Sequence, residues 1–510
     1  MEANSMYYFL TEQLAAQPSG IEHAQIKRLQ LFKQNHVPAK IFTNAYDRFF
    51  HYHATINGLH EHDILNLFDW LQHAETYHGV KKMVKDIKAP GNYDTVITKN
   101  NYTDYLINNH VILRIIPFNF AAKQVSEVHF SAFNGQVVQK DFYDTRGFLS
   151  FTQFMDQNGG GVVSEVMYTP QHQPAVEKIY RHSGNQYPVT CYRIFNYAGN
   201  DWYFDNMNQL IRFVLDELNL KQPQIPDTLL ADLDYVYDRP LTWLTTKTRN
   251  FLVWHNIHTV DPMNLDGPIY ANYRFELDNA TKFAGLIVPT QKQANDIKRR
   301  FAPKMPVITL PYGYVTAKQL TAAKIPLASR IRHKIIAVAR IHPQKNLPDM
   351  IKAFQLIQQK IPDATLDIWG YTNDQKLLQQ LQKQVADLNL TANVAFKGYS
   401  QNLDQVYDSA QLMLLTSLHE GNPLSLIEAF AHGVPIISYA TNYGPAEVIT
   451  PDVNGAVIPQ GDYQQLAATA IKYLQDQPLL AQLSHNAYAA RQTFSATATW
   501  QQWTASSVIQ

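Results

Sequence analysis

Between Lys334 and Tyr439 short apolar runs alternate with amphipathic stretches, and this pattern restricts the fold more than any other feature of the chain. Lys334–Ala339, Thr365–Trp369, Val394–Phe396, Leu412–Leu415 and Val434–Tyr439 read as buried strands. Pro348–Gln359, Asn373–Leu388, Leu403–Ser409 and Pro423–His432 read as the helices between them. The pattern predicts a parallel sheet with helices on both faces, binding ligands beyond the carboxyl ends of its strands. A second α/β region is expected earlier. Tyr7–Leu10, the helix Ile21–Phe32 and Val37–Phe42 make a β-α-β unit, and Phe251–Trp254 and Gly285–Val288 read as buried parallel strands.

Between these regions the period changes to two. Val111–Ile116, Val125–Phe130, Gln136–Tyr143 and Val162–Tyr168 are separated by Asn108-Asn109, Asn134-Gly135 and Asn158-Gly159, which favour hairpin turns. This is an antiparallel meander inserted in an α/β protein. A structural extension and a sheet that binds an acceptor or oligomerises are both open. The expected division is 1–75 with 200–315 as an N-terminal Rossmann-like domain, 76–199 as the meander, and 316–490 as a C-terminal Rossmann-like domain. Residues 491–510 are expected to be a helix packing back on the first domain, with Pro306–Ala328 as linker and the last helices at Tyr463–Gln477 and Leu480–Gln510.

At 510 residues the chain is too long for one core. Its 43 basic and 43 acidic side chains cancel, so no basic excess points to nucleic acid. The single cysteine, Cys191, excludes an internal disulfide framework and fits a reducing compartment. No signal peptide and no run of roughly 20 apolar residues is seen, so a cytoplasmic location is expected.

The richest motif is Glu420-Gly-Asn-Pro-Leu-Ser-Leu-Ile-Glu428, directly after the run Leu412–Leu415. It reads as strand, tight turn, helix, with one carboxylate before the turn and one inside the helix. A helix N-terminus presents free N–H groups and a positive dipole end. That arrangement suits a sugar nucleotide, with one acid for the sugar, the amides for the diphosphate and the second acid for the ribose. Arg340 and Lys345 follow the strand Lys334–Ala339, where fixed cations stabilise a departing diphosphate. His255 and His258 follow the strand ending at Trp254. An HxxH pair can ligate a metal, but no third ligand is evident. Ser19-Gly20 ends the first βα turn, where glycine lets a ligand approach the backbone. Asp232-Leu-Asp234 matches a DxD pattern but lacks a clear preceding strand and reads as chance. His51, His53, His60 and His62 read as surface residues of a helical segment.

Together, Arg340-x4-Lys345, Trp369-Gly370, Lys397-Gly398-Tyr399, Glu420-x7-Glu428 and Asn442-Tyr443-Gly444-Pro445 resemble the family 4 retaining glycosyltransferases of GT-B fold. Ser19-Gly20-Ile-Glu-His-Ala and the meander look like bacterial poly(glycerol-phosphate) α-glucosyltransferases of wall teichoic acid, and like the Ser/Thr-protein N-acetylglucosaminyltransferases of accessory secretion. Tyr443-Gly444-Pro445 tilts the resemblance to the first group. Where those enzymes often have Glu-Gly-x-Gly, this chain has Glu420-Gly421-Asn422-Pro423, which removes one backbone amide from the diphosphate contacts.

The resemblance implies an α/β GT-B fold of two Rossmann-like domains facing a cleft. It implies transfer of a hexose, glucose in the first reading, from a UDP-sugar to poly(glycerol phosphate). Transfer of N-acetylglucosamine to Ser/Thr of a surface protein is the alternative, and a non-catalytic acceptor-binding partner is a third reading. Glu420, Lys345, Arg340 and His258 would be the catalytic group, with His255 second to His258 for positioning the sugar. Gly20, Tyr399, Gly421, Asn422, Leu424, Ser425 and Glu428 would bind the donor. No metal and no further cofactor is implied, because the cations take the metal's part. The acceptor would be teichoic acid or a Ser/Thr-rich protein. The meander could serve a homo-oligomer or a related subunit, and peripheral association with the inner membrane face is compatible with the resemblance. Lys81, Lys82, Lys85, Lys88, Arg114, Lys123, Lys140 and Arg146 could form a groove for a polyanion, or a scatter of solvated cations.

Overall fold

The computed structural model describes residues 5–89, 91–157, 160–184, 186–220 and 226–510. Its contacts divide the chain into two compact units. One comprises the chain up to Ala16, Pro38–Leu229 and Val236–Thr248, and the other Gln17–Val37, Leu230–Tyr235 and Arg249–Gln510. The expected domains cut the chain differently, because the first helix goes with the C-terminal half.

In the first unit, Tyr7–Thr11, Ala39–Thr43 and Ile64–Asn66 pair in parallel, with Tyr7 opposite Ala39 and Ile41 opposite Ile64. The inserted meander is a ten-stranded antiparallel sheet in consecutive order, from Thr95–Lys99 to Asn200–Phe204. It therefore runs past the expected boundary at 199. Asn108 and Asn109 both take positive φ, as does Gly135, so these turns use the left-handed backbone that Asn and Gly tolerate. The expected turn at Asn158-Gly159 lies outside the described residues. Leu113, Ile115, Val125 and Val128 form one buried apolar cluster on the sheet.

Polar anchors fasten this sheet to the short helices of its unit. Gln72 donates to the carbonyls of Ser150 at 2.9 Å and Tyr168 at 2.7 Å. Arg48 donates to Ser126 O at 2.6 Å and Glu127 Oε1 at 2.7 Å. Arg146 donates to Asp69 Oδ1 at 2.6 Å, to Asp144 Oδ1 at 2.8 Å and to the carbonyl of Ala74. His51, expected at the surface, lies 2.9 Å from Asp69 Oδ2 in the same cluster.

In the second unit, Arg249–Val253, Gly285–Val288 and Val307–Thr309 pair in parallel. Val307–Thr309 falls inside the expected linker: Val307 is buried and pairs with Leu286, so the linker is shorter than the Pro and Ala content of Pro306–Ala328 suggests. A six-stranded sheet has the order Val394–Gly398, Thr365–Trp369, Lys334–Val338, Leu412–Leu415, Ile436–Tyr439, Gly455–Ile458. Its registers are parallel throughout, with apolar layers on both faces. The stretch expected as one helix from Leu480 is two, Gln477–Ala490 and Ala496–Thr504. The break is imposed between them: Val315 N–H donates to Phe494 O at 2.7 Å, and Ser495 caps the next helix.

Helix α1 (Gly20–Gln34) opens with a reciprocal cap between Ser19 and Glu22. Phe32 meets Trp500 and Trp503 edge-on, each at 5.4 Å between ring centroids. Arg249 donates to Val508 O at 3.0 Å, so the C-terminal turns pack on α1 and on the strand Arg249–Val253. Among the described residues no helix is long and apolar enough to cross a membrane.

Candidate functional site

The turn after Leu412–Leu415 is held from both sides. Glu420 N–H donates to Asn442 O at 2.9 Å, and Tyr443 N–H donates back to Glu420 O at 2.8 Å. The loop carrying Lys345 is clasped to the same segment. Leu418 N–H donates to Gln344 O at 2.8 Å, Gln344 Nε2 to His419 O at 2.8 Å, and Thr416 Oγ1 to Lys345 O at 3.0 Å. These bonds bring Lys345 Nζ to 2.5 Å from Glu420 Oε1. Lys334–Val338 and Leu412–Leu415 are neighbours in the sheet, which places two charges 75 residues apart in sequence at the same strand ends.

Arg340 lies just beyond Lys334–Val338, exposed and without an ion pair among the described residues. His342 is held below its ordinary pKa by burial and then by Arg340 and Lys345. His419 is also lowered, by burial first, with Glu420 opposing and Lys345 adding to the shift. His419 Nδ1 lies 2.8 Å from Asn256 Oδ1, which ties the turn to the segment after Arg249–Val253.

Gly421 sits where no side chain fits: an added Cβ would lie 2.2 Å from His255 O. Pro423 is the N-cap of the helix Leu424–Ala431, so the helix begins with the amides of Leu424 and Ser425. Glu428 is one turn further in. Its Oε2 accepts from Tyr407 Oη at 3.2 Å, and its Oε1 lies 3.7 Å from Lys27 Nζ. Tyr399 Oη is 3.5 Å from His23 Nε2. His23 and Lys27 are four residues apart on α1, so one face of that helix meets both Tyr399 and Glu428. Sequence reading missed this pair. The i, i+4 spacing after Ser19-Gly20 was the available signal. Gly20 itself is exposed, and an added Cβ there would meet nothing within 4 Å, so packing does not demand glycine.

The two histidines part company. His258 has no exposure and lies among Trp254, Phe301 and Tyr443. Neither ring nitrogen has a hydrogen-bond partner. Burial, and then Arg300, lower its pKa to about 4. His255 instead keeps its ring 2.7 Å from Asp232 Oδ1. Asp232 is fully engaged, and Asp234 accepts from Asn272 at 3.2 Å, so the DxD pair is used inside the protein.

His258 makes stability acid-sensitive. Its folded pKa lies below the unfolded value of 6.5, so this contribution is complete above pH 6.5 and is lost as pH falls toward 4. Wild type should therefore lose about 2 kcal/mol more than His258→Phe between pH 7 and pH 5, at roughly 1.4 kcal/mol per unit. Asp227, raised by burial to about 6, titrates with the opposite sign but is common to both proteins. Urea midpoints at the two pH values measure the difference, and equal losses would contradict it.

Several known proteins share this architecture. The UDP-N-acetylglucosamine–peptide N-acetylglucosaminyltransferase GtfA subunit of Streptococcus parasanguinis is 24% identical over 87% of this chain and 86% of its own length. The poly(glycerol-phosphate) alpha-glucosyltransferase of Bacillus subtilis is 24% identical over 71% of this chain, and the match spans 52% of that longer protein. The crystal structure of the pneumococcal O-GlcNAc transferase GtfA, a complex with UDP and GlcNAc, superposes with a TM-score of 0.80 at 17% identity and 98% coverage of both chains. The fold is therefore GT-B-like over essentially the whole chain. Residues 324–490, which hold Arg340, Lys345, Glu420 and Glu428, match the model described as Glycosyl transferases group 1.

Proposed function

We propose that this protein transfers a hexose, with glucose as the first candidate, from a UDP-sugar to a hydroxyl of a poly(glycerol phosphate) chain. The observation that carries the reading is the Lys345–Glu420 pair, 2.5 Å apart, with Arg340 at the same strand end and without an ion pair among the described residues. In this reading Glu420 holds the donor sugar, and Arg340 and Lys345 hold the diphosphate and stabilise its charge as the sugar C1–O bond breaks. The amides of Gly421, Asn422, Leu424 and Ser425 complete the phosphate cradle. Glu428 takes the ribose hydroxyls and Tyr399 lies beside the base, with Gly20 leaving the backbone of the first turn open to the donor. The acceptor oxygen bonds C1 on the face the phosphate leaves, and its proton passes to the leaving phosphate oxygen, so configuration is retained. No metal is written into this scheme. A purely acceptor-binding partner is disfavoured, because both glutamates and both cations are present.

The acceptor reading rests on the meander flank. Lys81, Lys85, Lys88 and Lys123 are exposed, and the bond from Val125 N–H to Lys82 O at 2.9 Å sets the two lysine segments side by side. The expected groove loses two members. Arg146 is buried on Asp69 and Asp144, and Arg114 is bidentate on Asp104 at 2.7 and 2.8 Å. Transfer of N-acetylglucosamine to a Ser/Thr peptide is the second reading, supported by the 87% of this chain that aligns with the S. parasanguinis relative.

A donor panel against both acceptors tests the choice. Activity on poly(glycerol phosphate) should fall steeply as salt rises, because exposed charges are screened within about 8 Å at physiological ionic strength. Activity on a neutral peptide should not. Efficient N-acetylglucosamine transfer to peptide, with no glucose transfer to polymer, would reverse the ranking.

A further inference from the structure

Asp232 is buried, and four hydrogen bonds from three side chains converge on its carboxylate. Arg28 Nη2 donates to Oδ1 at 2.7 Å and Arg28 Nη1 to Oδ2 at 3.0 Å; Gln25 Nε2 donates to Oδ2 at 2.9 Å; His255 Nε2 lies 2.7 Å from Oδ1. Burial alone would raise this carboxyl, but Arg28 and His255 more than offset it and hold the pKa at about 2. An ionised carboxylate only accepts, so His255 Nε2 must carry its proton toward Asp232. A neutral imidazole held this way presents Nδ1 as an acceptor. Nδ1 has no hydrogen-bond partner among the described residues, and the side chain keeps 10% of its surface open. The Tyr312 ring lies 4.5 Å away between centroids, tilted by 51°, and its hydroxyl donates to Trp254 O at 2.9 Å, so the imidazole is held from its side as well as its end. His255 O in turn abuts Gly421 beside Glu420.

We propose that Asp232 is a positioning residue that locks His255 as the Nε2–H tautomer, so that Nδ1 can accept a hydroxyl hydrogen of the donor sugar. The proposal rests on the transferase reading above and assigns a purpose to an acid that has no part in that scheme. Removing a group that orients a ligand's partner typically costs 10–100-fold.

Asp232→Leu alone strands the buried Arg28 charge, so the test uses Arg28→Met/Asp232→Leu, which replaces the ion pair by apolar groups. Tautomer states are read by ¹⁵N spectroscopy of histidine-labelled protein, with His255→Gln identifying the His255 signal. The double variant should lose the fixed Nε2–H signature and drop kcat/KM for the UDP-sugar by about 30-fold, while Kd for UDP, which lacks the sugar, stays within about threefold. An unchanged tautomer, full activity with the tautomer lost, or equal loss of UDP binding would each overturn the proposal. If the wild-type protein turns over no UDP-sugar, the transferase reading fails. The spectra then still decide whether Asp232 fixes His255.

Discussion

Lys345→Ala should lower turnover of a UDP-sugar by on the order of 10²–10³, as expected for the loss of one preorganised group that stabilises developing charge. Arg340→Ala should do the same with less effect on the fold. Arg340 is exposed and unpaired among the described residues, so its removal should change stability by no more than about 0.5 kcal/mol. Lys345→Ala also strands Glu420, whose side chain is 7% exposed, and some stability is lost with the activity. Both contacts are expected to strengthen as the diphosphate departs, so kcat should fall more than donor affinity. Steady-state kinetics beside thermal unfolding separates the two effects. Near wild-type turnover in Arg340→Ala would remove the diphosphate role.

The second large effect concerns the fastening of the meander. Arg146→Met should destabilise the first unit by about 3–5 kcal/mol, because it leaves two buried carboxylates without their cation. Asp69 and Asp144 side chains are 9% and 6% exposed, and both lean on the same guanidinium. Asp69 keeps a depressed pKa against the effect of burial, through His51 and Arg146 together. Arg114→Ala is the matched control. Its partner Asp104 is buried, but the guanidinium is 40% exposed, so about 1 kcal/mol or less is expected. Urea unfolding of both variants checks the contrast, and a cost for Arg146→Met no larger than for Arg114→Ala would contradict it.

What could be read in advance follows the range of each interaction. The strands and helices from Lys334 to Tyr439 were legible because period and turn chemistry are local. So was the Glu420–Glu428 turn, whose eight-residue spacing is fixed within one strand–helix unit. Arg146 could be counted as a cation but not as a buried one, since Asp69 lies 77 residues earlier. The resemblance ranks His258 ahead of His255 for the sugar, but nothing in the sequence separates their surroundings. Only the packing of Trp254, Phe301 and Tyr443 around one, and Asp232 on the other, tells them apart. Asp232 was passed over because the strand leading to it, Thr228–Ala231, is four residues long and follows a Pro-flanked polar stretch.

Helix α1 also sets an order of events during synthesis. Its Arg28 pairs with Asp232, which is made 204 residues later. At about 5–20 residues per second, that delay is on the order of 10–40 s. The aromatic partners of Phe32, Trp500 and Trp503, lie more than twice as far along the chain as Asp232 does. The helix must therefore wait, its apolar face unpacked, for partners made several hundred residues after it. Until those partners emerge, the apolar face of α1 should be open to holding chaperones.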